Sequence, residues 1–349
     1  MLFHFPAIHI RGIAAALPRQ ELNLRDLEGR FGGEEVARIM ATTGIQAVRV
    51  APPEMCASDL CEAAARRLLA ETDLAPADLD ALVFVSQTPD YPLPATAACL
   101  QERLGLPKSA AVFDLNCGCT GFIYGLLQAC LLTNAGAKRV LVLAGDTSTR
   151  LVNLGDKSVR MIFGDAGSAA IIEPGPDAAV IAVKTDGSGA RHLIIPAGGA
   201  RRPVDAGTAE ETVDDSGNRR SARDLFMDGM EVMNFTLREV PPVIEETLAR
   251  AGWPRESVGA YVLHQANRFI LDYLRKKMKL PTEVWPVTME RTGNTGPASI
   301  PLALAVDRER LQREGRLARC LLCGFGVGLS WGAAAVDLSR TTILDPVDV

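Results

Sequence analysis

The chain repeats itself, and that repetition limits its fold more than any other feature. Residues Leu69 to Val85 (LAETDLAPADLDALVFV) return as Leu248 to His264 (LARAGWPRESVGAYVLH). Each copy reads as the end of a helix, a turn with a proline, and an apolar strand. Leu104 to Pro107 returns as Met278 to Pro281, and Arg139 to Ala144 as Arg319 to Gly324. Glu283 to Thr288, followed by Asn294, echoes the strand that precedes Cys119. A repeat spaced by roughly 175–180 residues implies two similar βα halves, each with its own sheet and helices. Ligands of α/β sheets sit at the carboxyl ends of strands. Functional groups are therefore expected where equivalent strand ends meet across the pseudo-dyad.

The 349 residues suffice for two such halves. The first is expected over 1–184 and the second over 230–349. Between them, 185–229 is rich in glycine and mixed charge and reads as an inserted loop region or seam. Strands are expected at Ile8 to Ala16, Ala47 to Val50, Leu79 to Ser86, Ala110 to Phe113, Arg139 to Ala144 and Ser168 to Ile172. A helix beginning at Ser58, with Asp59 in its first turn, carries an N-cap signal. A long helix is expected over Met230 to Ala251.

The duplication places Cys119, His264 and Asn294 at strand-end turns on one side of the fold. Cys119 lies in Asn116-Cys117-Gly118-Cys119-Thr120-Gly121, between an apolar strand and a helix-compatible segment running to Leu132. A turn there lies at a helix N-terminus, where unpaired N–H groups and the positive dipole end converge. A thiol in that place is expected to titrate about one to several units below 8.5, as a nucleophile. The same two cysteines also fit small buried hydrophobes. Cys117 is assigned to packing. His264 ends the strand Val262-Leu263-His264, one of four histidines in the chain. Asn294 sits between glycines in Gly293-Asn294-Thr295-Gly296, and Gly324 to Gly332 holds glycines that let a backbone approach a ligand closely.

Bulk properties narrow the function. A net charge of −5 excludes a global basic field for nucleic acid. Eight irregularly spaced cysteines do not form a secreted disulfide framework, and a reducing cytoplasm fits them. The N-terminus lacks a basic region followed by a long apolar core, so it reads as a first strand and not a signal peptide. No apolar run approaches the about 18 residues of a membrane span. Cys320 and Cys323 have zinc-knuckle spacing, but no second pair lies nearby.

Cys119 in its Asn-Cys-Gly-Cys-Thr-Gly-Phe context resembles the β-ketoacyl-ACP synthase III family. So do His264-Gln265-Ala266-Asn267, Gly293-Asn294-Thr295-Gly296-Pro297-Ala298-Ser299 and Gly324-Phe325-Gly326-Val327-Gly328-Leu329-Ser330-Trp331-Gly332. Thr43-Gly44-Ile45, Phe163 to Ala169 and Met227-Asp228-Gly229 extend the resemblance nearly end to end. It implies a thiolase-like, duplicated, five-layer αβαβα fold, a homodimer and a Cys119–His264–Asn294 triad. It further implies an acyl primer from acyl-CoA or acyl-ACP held on Cys119, with malonyl-ACP as the second substrate and no cofactor. The glycine loop at Gly326 and Val327 would join the Cys119 N–H in an oxyanion hole.

The sequence departs from the family at the carrier-binding positions. Arg38 and Lys157 stand where a tryptophan and an arginine clamp the CoA adenine, and Thr42 where an arginine precedes Thr-Gly-Ile. In the helix that docks the carrier protein the family's arginine falls at Phe269, with Arg268 one position earlier. One position rotates a helical side chain by about 100°. Arg268, Arg275, Lys276, Lys277 and Lys279 still form a basic run suited to an acidic carrier, or to a solvated helix face. Leu93 stands near a dimer-contributed, often aromatic, position at the floor of the acyl pocket, and a smaller residue there fits a longer chain. The other readings are a specialised acyltransferase or condensing enzyme of a secondary-metabolite or polysaccharide pathway, and a catalytically silent scaffold.

Overall fold

The computed structural model describes all of residues 1–349. In chain order the elements begin with β1 (Leu2–Leu17), β2 (Glu21–Asn23), α1 (Glu28–Phe31), α2 (Gly33–Thr43), β3 (Ala47–Arg49) and α3 (Ala57–Glu71). β4 (Ala81–Val85), α4 (Thr96–Leu104), β5 (Ala111–Leu115), α5 (Gly121–Asn134), β6 (Val140–Asp146), α6 (Lys157–Arg160), β7 (Ala166–Pro174) and β8 (Asp177–Thr185) follow. The excursion after β8 holds four two-residue strands, β9 (Leu193–Ile194), β10 (Thr212–Val213), β11 (Arg219–Arg220) and β12 (Phe226–Met227). The chain ends through α7 (Gly229–Ala251), β13 (Ala260–Leu263), α8 (Arg268–Lys277), α9 (Ser299–Val306), α10 (Arg308–Arg313), β14 (Cys320–Gly326), β15 (Ser330–Val336), β16 (Thr342–Ile343) and β17 (Val347–Asp348).

The main strands run β13-β14-β15-β8-β1-β7-β6-β4-β5 across one continuous sheet. β1 joins its two parts: Leu2 to Ile8 pair with β8, while Ile8 to Ala16 pair with β7. β8 in turn pairs with β15. Strand periodicity sorts side chains onto two faces. In β4, Ala81, Val83 and Val85 enter the core around α5 and α9, while Leu82 and Phe84 enter the core around α3 and α4. In β14, Cys320 and Leu322 join the α5/α9 core, and Leu321, Cys323 and Phe325 the core beneath α7 and α8. The layers are thus α3/α4, sheet, α5/α9, sheet and α7/α8, the five-layer duplicated αβαβα arrangement. Cys320 and Cys323 face opposite layers and share no site.

Two local expectations are corrected. The helix expected to start at Ser58 begins at Ala57 with Cys56 as N-cap, whose N–H donates to Asp59 at 2.7 Å. Ser58 instead donates to Asp90 at 2.8 Å. Glu283 to Thr288 is not a strand, since Pro281 and Pro286 interrupt any ladder. Thr282–Val284 forms a 3₁₀ turn, and the buried Gln265 side chain takes the place of a strand partner. Its Oε1 accepts from Thr288 N–H at 2.8 Å, and its Nε2 donates to Leu263 C=O at 2.7 Å.

The loop carrying Asn294 takes its register from the first half instead. Asn294 N–H donates to Ile162 C=O at 2.8 Å, and Gly164 N–H donates to Asn294 C=O at 3.0 Å. A Cβ on Gly164 would stand 2.0 Å from Thr292 O. Gly164→Ala should therefore lower the thermal midpoint by several degrees, about 2 kcal/mol or more for a forced backbone shift. Differential scanning fluorimetry checks this; an unchanged midpoint would mean the approach is not needed for stability.

Candidate active site

Cys119 lies between the end of β5 and the start of α5. The turn is tied to the glycine loop: Thr120 Oγ1 donates to Ser330 O at 2.9 Å, and the Ser330 hydroxyl lies 2.9 Å from Val327 O. At Gly326 a Cβ would stand 2.8 Å from Cys119 Sγ, so only glycine lets β14 pass this close. His264 follows β13, its N–H donating to Cys323 C=O at 2.8 Å. Its ring meets Phe325 edge-on at 5.5 Å. Asn294 Oδ1 accepts from Gly296 N–H at 3.0 Å. That bond fixes the amide, because an N–H demands the oxygen, and leaves Nδ2 as a donor.

Cys119, His264 and Asn294 line one cavity of about 60 Å³ with Phe163, Phe325 and Gly326. They are 8%, 1% and 5% exposed, so all three are buried. Burial sets the charges. Burial pushes His264 down to about 3, with the Gly296 backbone acting the other way. The ring is therefore neutral, and its tautomer decides what it does. Nδ1 lies 2.6 Å from Ser299 Oγ at the start of α9. A hydroxyl donating to Nδ1 leaves the proton on Nε2.

The expected low-pKa thiolate is corrected. Burial pushes the Cys119 thiol up to about 12, and Asp146 adds to the rise, while the N–H groups of Val327 and Cys119 itself oppose it. Desolvation outweighs the helix N-terminus. Cys117 is half-buried against the α5/α9 core.

The other expected positions lie outside this cavity. Arg38, Thr42 and Lys157 line a polar mouth of about 480 Å³ together with Glu35, Ser216 and Asn218. Ile162 belongs to both mouth and inner cavity. Glu35 takes both cations: Arg38 donates to it twice, at 2.9 and 2.8 Å, and Lys157 Nζ lies 3.2 Å away. Together they hold Glu35 at about 2. Arg268 packs on Gly44 and Phe269 is half-exposed. Leu93, 82% exposed, stands away from Cys119 of its own chain.

Sequence reasoning missed Ser299, Gln265 and Asp146. Ser299 ends the motif Gly293 to Ser299, and Gln265 lies inside His264-Gln265-Ala266-Asn267. Asp146 could have been found from the repeat, because the strand match that pairs Arg139 with Arg319 pairs Asp146 with Gly326.

The duplicated fold, with a thiol, a neutral imidazole and an amide brought to one cavity, defines a thiolase-type acyl-transferring enzyme. Residues 113–189 match the family model for 3-oxoacyl-[acyl-carrier-protein (ACP)] synthase III, and 248–338 its C-terminal model. The β-ketoacyl-[acyl-carrier-protein] synthase III of Caldanaerobacter subterraneus subsp. tengcongensis is 34% identical over 96% of this chain and 98% of its own. A crystal structure of a 3-oxoacyl-(acyl-carrier-protein) synthase III is 43% identical, with a TM-score of 0.89 over 95% of this chain and 100% of that one. That of a 3-oxoacyl-(acyl-carrier protein) synthase from Burkholderia xenovorans LB400 is 38% identical, with a TM-score of 0.93 over 100% and 99%. The chain belongs to the 3-oxoacyl-[acyl-carrier-protein] synthase III family.

An unfolded chain protonates His264 near 6.5, whereas the native ring stays neutral to about 3. Native stability is therefore lost as pH falls from 6.5 toward 3. Between pH 6.5 and 4.5 the wild type should lose roughly 2 kcal/mol more than His264→Gln. Urea titrations of both at the two pH values measure the difference; equal losses would contradict a buried neutral ring.

Proposed function

We propose that the chain catalyses decarboxylative Claisen condensation of an acyl primer with malonyl-ACP, giving a β-ketoacyl product in fatty-acid or related biosynthesis. The observation that carries the reading is the buried cavity in which Cys119 meets two neutral donors, His264 Nε2 and Asn294 Nδ2. Cys119 Sγ attacks the primer thioester and holds the acyl group, and the carrier leaves as its thiol. Malonyl-ACP then enters. The two donors bind its thioester carbonyl oxygen, where negative charge develops as the C–CO₂ bond breaks. The enolate attacks the acyl carbon, and the N–H groups of Cys119 and Val327 hold the tetrahedral oxyanion. The Cys119–acyl bond then breaks, releasing the β-ketoacyl-ACP and returning the sulfur for reprotonation. A cationic histidine would be costly in this site, and Ser299 keeps the neutral ring in the donating tautomer.

The carrier protein is named by the relatives, and α8 supplies a surface for it. Phe269 and Tyr273, both exposed, are flanked by Arg268, Lys276 and Lys277, which suits an acidic partner with an apolar patch. We infer a homodimer formed through β5. This is an edge strand whose residues are partly to fully exposed, and the exposed Tyr91 and Leu93 lie in the loop after β4. In that dimer Leu93 would reach the partner's acyl pocket. All eight cysteines are free, which fits the reducing cytoplasm. No helix is long and apolar enough to cross a membrane.

The charge pairing at the mouth favours a specialised variant of the same chemistry, with the primer delivered by a carrier protein. Arg38 and Lys157 are both occupied by Glu35 and have little left for nucleotide phosphates. A priming β-ketosynthase from the R1128 polyketide biosynthetic pathway, 29% identical with a TM-score of 0.79, stands among the solved relatives.

Incubation with a panel of acyl-CoAs and acyl-ACPs, read by intact-protein mass spectrometry, should give one acyl adduct, absent from Cys119→Ala; a stable adduct elsewhere would sink the assignment. For His264→Ala, acylation should persist while malonyl decarboxylation falls by roughly two orders of magnitude or more. Ser299→Ala should lower the same step by a smaller factor, about tenfold, through the tautomer alone. Equal loss of acylation in either variant would assign His264 to thiol activation instead.

A further inference from the structure

One buried acid beside the nucleophile has no part in the steps above. Asp146 ends β6 and is 3% exposed. Only one of its oxygens is satisfied. Oδ1 accepts from Ser86 Oγ at 2.8 Å, from Gln87 N–H at 2.7 Å and from Thr88 Oγ1 at 3.3 Å. Oδ2 accepts no hydrogen bond from the protein and lies 2.9 Å from where a Cβ on Gly296 would stand. Although the residue is buried, this oxygen is not sealed off from water-sized space, so water or a ligand can meet it.

Asp146 and Cys119 line a second cavity, of about 40 Å³, with Gln87, Ser148 and Val327. Cys119 thus stands between two spaces, one carrying His264 and Asn294 and the other carrying Asp146. The second is large and polar enough for a water molecule, which needs about 10–15 Å³ and two or more polar partners. The titratable groups facing Asp146 are the Cys119 thiol and, from α3, the buried Cys61 thiol. From the segment after β4 it meets only the uncharged donors already named, and no cation acts on it. Burial lifts the carboxyl to about 7, so it exchanges a proton near neutrality. His264, held at about 3, is a far poorer proton acceptor.

We propose that Asp146 Oδ2 accepts the thiol proton of Cys119 during acylation, through water held in the cavity the two residues share. As Sγ bonds to the thioester carbonyl carbon, the S–H bond breaks and the proton passes through water to Oδ2. The tetrahedral intermediate then collapses, the carbon–sulfur bond to the carrier breaks, and the carrier thiolate recovers the proton from Asp146 and departs as the thiol. No electrons are gained or lost overall. The assignment rests on the condensing-enzyme reading and divides it into two halves: Asp146 serves the acylation of Cys119, while His264 and Asn294 serve decarboxylation.

The test is single-turnover acylation by the small thioester S-acetyl-N-acetylcysteamine, followed by intact mass from about pH 5 to 10, beside alkylation by iodoacetamide. Wild-type acylation should rise through neutrality and level off above about pH 8, as a titrating base requires. Asp146→Asn should lower the plateau by about 10²-fold or more, with alkylation unchanged or faster because a negative charge near the sulfur is gone. Acylation of the Asn variant at the wild-type rate would overturn the proposal. So would a wild-type rate climbing tenfold per pH unit to pH 10. If the Asn variant does not fold, Thr88→Val removes one donor to Oδ1, and the rising limb should move to higher pH; an unmoved limb overturns the proposal equally. Where acetyl is not accepted, the N-acetylcysteamine thioester of the acyl group found in the adduct panel replaces it; a wild type that no acyl-CoA, acyl-ACP or N-acetylcysteamine thioester acylates on Cys119 would instead refute the condensing-enzyme reading itself.

Discussion

Two backbone hydrogen bonds hold the two halves in register at the active site. Asn294 N–H to Ile162 C=O and Gly164 N–H to Asn294 C=O form a single parallel bridge, Phe163 to Asn294, between loops of different halves. The second half lacks the strand that positions Cys119 in the first. Its equivalent segment is broken by prolines and held by Gln265 instead. The Asn294 loop therefore has no ladder of its own and borrows one. Through that bridge the Asn294 loop is tied to Ile162–Gly164 of the first half, whose Ile162 and Phe163 line the same cavity as Cys119 and His264. The convergence of two strand-end turns and this borrowed loop is a property of the pair of halves and of neither alone.

The second constraint is the burial of the reacting groups. Burial acts on Cys119, His264 and Asp146 in the direction that removes charge from each, so the resting site is nearly neutral. Hydrogen bonds in such a place are stronger than in water. Charge appears only when a substrate brings it, on a thioester oxygen, and it then meets fixed N–H donors that do not reorganise. The same burial opposes formation of a free thiolate. Dipole and N–H groups at the start of α5 lower that barrier without removing it, and an acceptor for the proton becomes worth having.

Much of this was legible in the sequence. The repeat gave the two-sheet architecture because apolar runs, prolines and glycines recur in the same order, and such punctuation survives where side-chain identity does not. It also brought Cys119 and Asn294 to equivalent turns. What it could not reveal were features that depend on exposure. Cys119 reads as an activated thiol from its place before a helix, yet its burial is set by β14 passing over it at Gly326, some 200 residues away. Ser299 and Gln265 were visible as letters of motifs, but their tasks arise from partners 35 and 23 residues distant. Asp146 reads as an ordinary strand end, and only the unfilled oxygen facing a cavity sets it apart.

The mouth shows how one residue alters a site that composition alone would misjudge. Arg38 and Lys157 look like a cationic clamp when counted along the chain. In space Glu35, one helical turn before Arg38, faces both of them, and its carboxylate is held at about 2. Arg38 and Lys157 are solvated, so each pair contributes little to stability. The effect on recognition is larger than the effect on folding. An incoming nucleotide phosphate must displace a carboxylate already seated in a bidentate geometry and then remain beside it, and like charges at that distance repel. A phosphopantetheine arm on a protein carries its phosphate at the far end, and its partner's recognition can rest on the aromatic and basic face of α8. In the proposed function the mouth would therefore discriminate between carriers by what Glu35 opposes as much as by what its cations attract.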